Sequence, residues 1–219
     1  GVYPLTPADV AALAVQPPLH YSTALSGDIV LSTRTTVTDT SSGGSSQTTF
    51  DQDIHVNVTG VADPPQTRMV VVTADEDETI DLGAAILASA SGNLNNLLVD
   101  TDGSESLSFV LGGLPSGVIP GTSNPSGGVT YLGSGTWSIT AAAMATLTLP
   151  PVPNFSGENP YAGVTIRAVT QEIDGDQATS SQWPVTIKVY PVIDAGTAEA
   201  LRRFIEQRKA EIAIEPRDF

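Results

Sequence analysis

The chain contains no cysteine, so neither a disulfide nor a thiolate zinc site holds its fold. Aromatic residues are few: five Phe, five Tyr and two Trp in 219 residues. Basic side chains are scarce too, with nine Lys and Arg against 24 Asp and Glu, for a net charge of −15. Residues 1–198 carry 19 acidic but only four basic side chains, so the excess sits in the body of the chain. Such a body repels nucleic acid and anionic membranes and attracts cations, divalent ones most of all. No run approaches the roughly 20 apolar residues that cross a bilayer. The opening GVYPLTPADV has neither the basic region nor the apolar run of a signal peptide.

What is present is Thr, Ser, Val, Gly and Pro, the composition of short strands joined by turns. The chain also nearly repeats itself. Leu13 aligns with Leu147, Pro17 with Pro151, Tyr21 with Phe155, Asp39 with Asp174, Val56 with Ile187 and Asp63 with Asp194, at offsets of 131 to 135 residues. Self-similarity at a long fixed period marks an array of structural units. The expected organisation is the C-terminal half of one module over 1–62, a Pro-rich linker at 63–67, a complete module of about 130 residues over 68–194, and a helical tail over 195–219. Opening in mid-module, the chain reads as an excised piece of something larger.

Local patterns fill in the elements. Thr6, Pro7 and Asp9 form a helix start, echoed by Thr140 before AAAMA. The segments that follow, Leu13–Val15 and Leu147–Leu149, read as short strands ending at Pro pairs. Ile29, Leu31, Thr33, Thr35 and Val37 alternate along one strand, Val164, Ile166, Ala168 and Thr170 along its counterpart. Ile54, Val56 and Val58 alternate, as do Val185, Ile187 and Val189. TDTSSGGSSQTT (38–49) between the first pair reads as a mobile loop. In 68–194, strands are expected at 69–73, 79–82, 107–111, 129–132 and 136–139, with a partly helical stretch near 84–90. Many short strands among Gly, Pro and Asn imply an all-β, antiparallel sandwich with Greek-key connections. A half-module would leave an unpaired edge and a bare apolar face, to be covered by another segment, by an inserted domain or by the full module. In the tail, Leu201, Phe204, Ile205 and Ile212 recur near helical spacing, with Thr197 as candidate cap and Glu199 and Glu206 placed to pair with Arg202 or Arg203 and with Lys209.

Three acidic clusters stand out: DEDE at 75–78, DTDGSE at 100–105 and DGD at 174–176. Calcium takes six to eight oxygen ligands, and D-x-D-G turns aim carboxylates and a carbonyl at one point. Four adjacent like charges repel unless a cation or solvent relieves them. An ordinary solvated Asx-turn is the alternative for any one cluster.

The strings EDETIDL (76–82), LVDTDGSESLSFVLGGLPSG (98–117) and LPPVPNFSG (149–157) resemble the cadherin-like, Ig-like tandem repeats of giant bacterial RTX adhesins. RAVTQEIDGDQAT (167–179) and VTIKVYPVID (185–194) are similar to the same family. The resemblance covers 68–194 as a whole module and 5–63 as a half. It implies Ig-like or cadherin-like sandwiches stiffened by Ca2+, with Glu76, Asp77, Asp100, Asp102 and Glu105 as ligands, Asp174 and Asp176 beside them, and Asp63 and Asp194 at the linkers. It also implies a secreted, monomeric spacer at the bacterial cell surface. Its partners would be neighbouring modules of the same polypeptide, and a ligand on a host or neighbouring cell would be bound by an adjacent domain. The first half keeps Asp39 but lacks the D-G-D turn, which puts a metal site there in doubt.

Enzymatic motifs are missing: there is no nucleophile elbow, HExxH or Walker loop. His20 and His55 align with Asn154 and Thr186 of the other copy. A non-enzyme is therefore expected. The competing function is a sugar- or peptide-binding module that uses Tyr131, Trp137 and Trp183 as a platform, set against the ordinary use of a Trp in a sandwich core.

Overall fold

A computed structural model describes residues 3–161, 163–193 and 195–213. The described residues are mostly β-strands in antiparallel and mixed sheets with few helices, an arrangement consistent with a β-sandwich. Contacts divide the chain into two compact units. The first comprises Gly1–Thr67, Leu94–Ser108 and Arg167–Ser181; the second comprises Arg68–Asn93, Phe109–Ile166 and Gln182–Phe219.

The first unit opens with helix α1 (Pro7–Ala11), where Thr6 and Asp9 form a reciprocal capping box. Helix α2 (Thr23–Ser26) is capped by Ser22. Strands β1 (Ile29–Ser41) and β2 (Gly44–Val56) then form an antiparallel hairpin with a two-residue turn, Ser41 opposite Gly44. Most of 38–49, expected as a loop, carries this ladder instead. Its Ser and Thr residues fit exposed strand positions, and Gly44, the first residue of β2 after the turn, takes a positive φ (+140°) open to glycine. The register places Ile29 opposite Val56, Leu31 opposite Ile54 and Thr35 opposite Phe50 on one face. Val37, Phe50 and Ile54 on that face are exposed. Leu13–Val15, expected as a strand, is irregular.

The second unit holds nearly all the apolar core. Strand β3 (Val70–Asp75) precedes helix α3 (Leu82–Ser89), capped by Asp81, while a 3-10 turn at Leu94–Leu97 belongs to the first unit. Strand β4 (Glu105–Gly112) is followed by β5 (Gly121–Thr122), β6 (Val129–Gly133) and β7 (Thr136–Thr140). Helix α4 (Ala141–Met144), capped by Thr140 as its sequence predicts, leads into β8 (Leu147–Thr148) and β9 (Gly157–Glu158). Strands β10 (Thr165–Glu172), β11 (Gln177–Thr179) and β12 (Val185–Tyr190) follow; β11, the 167–172 part of β10 and the 105–108 part of β4 belong to the first unit.

One sheet runs in the order β11-β10-β4-β7-β6, a second in the order β3-β12-β9, and β5 pairs with β8. The β3–β12 pair is parallel, Val70 beside Val185 through Asp75 beside Tyr190, which departs from the expected purely antiparallel arrangement. The long intervening chain permits this, since only closely connected strands must run antiparallel. Phe109 and Trp183 meet edge to face at 5.9 Å among Ile80, Leu82, Leu111, Leu147 and Ile187, all fully buried or nearly so. Trp183 is thus a core residue.

His20 and Asn154, 134 positions apart, both take a positive φ, +59° and +54°. Helix α5 (Ala195–Ala213) begins two residues before Thr197, so that residue does not cap it. Arg203 pairs with Glu199 and Lys209 with Glu206 as the spacing suggests, while Leu201, Phe204 and Ile205 are exposed. The side chain of Ile212 lies outside the described residues, as does Asp194.

Candidate metal centre

Every buried polar or charged residue identified among the described residues belongs to the first unit: Ser22, Asp100, Ser104, Glu105, Thr170, Glu172 and Ser180. Three of these are carboxylates. Among the described residues, the apolar side chains buried in that unit are few: Ala62, Pro65, Leu94, Leu97 and Ala168. Burying carboxylates with so little apolar compensation is costly unless each is hydrogen-bonded and its charge is balanced.

The D-T-D-G-S-E segment coils on itself. Asp102 N donates to Asp100 Oδ1 at 2.9 Å, and Ser104 N donates to Asp102 Oδ1 at 2.7 Å. The Ser104 amide holds the Asp102 carboxyl below its ordinary pKa. Glu105, at the start of β4, follows directly. On the facing hairpin, Glu172 ends β10 and Asp174 and Asp176 occupy the turn to β11.

These two turns grip the start of the linker and the residues just ahead of it, 60–63, through the backbone. Gly60 N donates to Asp174 Oδ2 at 2.8 Å, Ala62 N to Asp176 Oδ2 at 2.9 Å and Asp63 N to Glu105 Oε1 at 2.7 Å. The buried Thr170 hydroxyl donates to Asp63 O at 2.6 Å. His20 Nδ1 lies 3.3 Å from Asp100 Oδ2 and 3.6 Å from Asp63 Oδ2. The structure therefore gathers Asp63, Asp100, Asp102, Glu105, Asp174 and Asp176 around one stretch of backbone.

Glu76 and Asp77 belong to the second unit and serve its backbone there. Glu76 Oε1 accepts from Val192 N at 2.7 Å, and Asp77 Oδ1 accepts from Asn154 N at 3.0 Å.

Three participants escaped the sequence reading: His20, Thr170 as a donor, and Glu172. Glu172 could have been found, because the alternation of Ile166, Ala168 and Thr170 continues inward to it. Its Oε1 accepts from Ser104 Oγ at 3.3 Å. Its Oε2, like Glu105 Oε2, is buried and meets no hydrogen-bond donor. Burial first, then the neighbouring carboxylates, pushes both glutamates above their ordinary pKa; for Glu105 these neighbours are Glu172, Asp100 and Asp63, for Glu172 they are Asp174, Asp100 and Asp102.

No family model, curated protein or solved structure matches this chain. The assignment of chemistry therefore rests on the residues themselves. Hard oxygen donors are the set that Ca2+ takes, and two orphaned, buried carboxylate oxygens are the feature that such an ion would satisfy. Among the described residues no three His, Cys, Asp or Glu side chains form a group arranged to hold a metal ion as they stand. Asp174, Asp176 and Glu105 each spend one oxygen on a linker amide instead.

Of the aromatic candidates, Tyr131 is exposed and its ring centroid lies 4.8 Å from that of Trp137 at a 51° tilt. Trp137 is half-buried, and its Nε1 is buried without a hydrogen-bond partner.

Proposed function

We propose that this chain is a calcium-stabilised structural segment of a large bacterial surface adhesin, an Ig-like Greek-key module and part of a second, spacing or supporting a ligand-binding region outside the cell. The observation that carries this reading is the clamp on the linker: three carboxylates from two acidic turns hold the amides of Gly60, Ala62 and Asp63. A chain segment fixed at three points within the first unit is stiff there, and stiffness is what a spacer supplies. The resemblance to adhesin repeats agrees with it, and so do the strong negative charge and the missing catalytic motifs.

Asp63, Asp100, Asp102, Glu105, Asp174 and Asp176 are the residues that would hold Ca2+, with Glu76 and Asp77 left to the backbone of the second unit. When bound, the ion would supply positive charge to carboxylates that otherwise repel one another. The protein's own part is to aim the two turns at the linker, keep Thr170 on the Asp63 carbonyl and exclude water from Glu105. A ligand that binds only the folded state stabilises it by RT ln(1 + [L]/Kd), about 2.7 kcal/mol at a hundredfold excess over Kd.

Thermal unfolding in EDTA, in millimolar calcium and in millimolar magnesium tests this. Calcium is expected to raise Tm by several degrees and magnesium far less. Equal Tm in all three would sink the calcium reading and leave the acidic turns as amide clamps alone.

A second reading has one observation in its favour. The exposed Tyr131 ring beside Trp137, on the edge strand β6, is a surface that a sugar or an extended peptide can stack on. Replacing Tyr131 with Ala would abolish glycan or peptide retention under this reading and change nothing under the first.

A further inference from the structure

Resting on the cation reading above, we infer that Glu172 is a further ligand of that cation, and that Gly60 couples cation binding to the seating of the linker. Glu172 occupies the last inward position of β10, after Ile166, Ala168 and Thr170, where an apolar residue would extend the pattern. It is only 4% exposed. One of its oxygens has the Ser104 hydroxyl and the other has no donor. The charges that bear on it, Asp174, Asp100 and Asp102, are all of its own sign. Among the described residues no Lys, Arg or His forms an ion pair with it. A carboxylate placed this way is poorly compensated by the protein and well placed for a cation.

Gly60 is the roof over this carboxylate. A Cβ added there would lie 2.9 Å from both Cδ and Oε2 of Glu172. The same glycine donates its N–H to Asp174 at 2.8 Å, so the linker seats against both acids at one residue. The orphaned Oε2 therefore lies directly beneath the linker backbone. Any cation that reaches it relieves the repulsion under the linker, and a seated linker shields the cation from water. Linkage makes the two effects reciprocal: the cation tightens the linker by the factor by which the seated linker tightens the cation.

The full chain and three variants, Glu172→Gln, Glu172→Asp and Gly60→Ala, would be titrated with CaCl2 by calorimetry and melted with EDTA or calcium. Hydrogen exchange at the Gly60, Ala62 and Asp63 amides would report linker seating. Glu172→Gln removes a buried charge and keeps the shape. It is expected to melt higher than the parent in EDTA, to bind calcium at least about tenfold more weakly, as altering a metal's surroundings does, and to lose the calcium-dependent protection of the three amides. A residue with a purely structural role would not give this crossing of opposite signs. Glu172→Asp keeps the charge but not the reach, so it is expected to melt like the parent in EDTA and still to bind calcium more weakly. In Gly60→Ala the atoms met are the end of a side chain, so the carboxylate yields and the fold survives. Calcium affinity and amide protection are expected to fall together there.

If the parent binds calcium and Glu172→Gln binds it equally well, the inference fails while the cation reading stands. If the parent binds no calcium at millimolar concentration, both fail.

Discussion

Glu105 and Glu172 each bury a carboxylate oxygen that no donor satisfies, and the consequence is an unusual dependence on pH. Burial and like charges raise both above the ordinary glutamate value of 4.5. The folded chain therefore holds these protons more tightly than the unfolded chain does. Their contribution to stability grows as pH falls through the raised values towards 4.5 and is lost again as pH rises through that window. Asp102 has the opposite sign, because the Ser104 amide depresses its pKa below 3.8; its contribution is present above that value and lost as pH falls through the lower one. In EDTA, Tm is thus expected to rise as pH is lowered through the raised values towards 4.5, before general acid unfolding sets in. A steady fall over that range would show that the two glutamates are adequately compensated. Gly113 makes a separate prediction. At φ +79°, an added Cβ would sit 1.9 Å from the Gly163 carbonyl oxygen, so Gly113→Ala combines a backbone clash with strain. A loss of about 1–3 kcal/mol is expected on denaturant titration.

Among the elements, the β1–β2 hairpin is exposed along nearly all of its length. Its two 13-residue strands pair along their whole length, yet Val37, Phe50 and Ile54 on the apolar face remain open. A two-stranded ribbon with no covered face is marginal in water. Hydrogen exchange is expected to be fast along 33–52 and slow in β3 and β12, whose residues Val70, Val72 and Ile187 are buried. Comparable protection in both would show that the hairpin's face is covered in solution. The bidentate pair between Arg34 and Asp51, at 2.7 and 2.9 Å, is exposed, and Arg34→Ala is expected to leave Tm nearly unchanged in a thermal melt.

At the scale of the molecule, the two units differ in what they bury. The second has the Phe109–Trp183 pair and its aliphatic surroundings, whereas the first has acids, hydroxyls and a handful of small apolar contacts. Hydrophobic burial is indifferent to cations, and carboxylate burial is not. Trp137 and Trp183 both belong to the second unit, so tryptophan emission reports on that unit. Emission-detected melting is expected to shift little with calcium, while exchange at the Gly60, Ala62 and Asp63 amides slows markedly. Equal shifts in both readouts would mean that the units unfold as one.

Much of this was legible in the chain. Caps at Thr6 and Thr140 depend on a few adjacent residues, as does the alternation of β10 and β12, and local patterns of this kind need no partner to be read. The same holds for the acidic turns at 100–105 and 174–176, where glycine and aspartate impose the bend. The near-repeat of the sequence was equally plain, a property of the residues alone. The path of 38–49 was not legible, because Ser, Thr and Gly suit a loop and an exposed ladder alike, and only pairing with a partner strand separates them. Nor was the sorting of the acids. Glu76 and Asp77 look like Asp100 and Asp102 in sequence, but they differ in which backbone amide lies within reach. The alternation of β10 marks Glu172 as an inward position, but that its carboxylate is covered by Gly60 was not legible, since burial of a carboxylate depends on what the rest of the chain lays over it. Sequence by itself determined the caps, most of the strands and the chemistry of the donors; tertiary structure decided the strand pairing and which donors share a site, because proximity between residues far apart in the chain is a property of the fold alone.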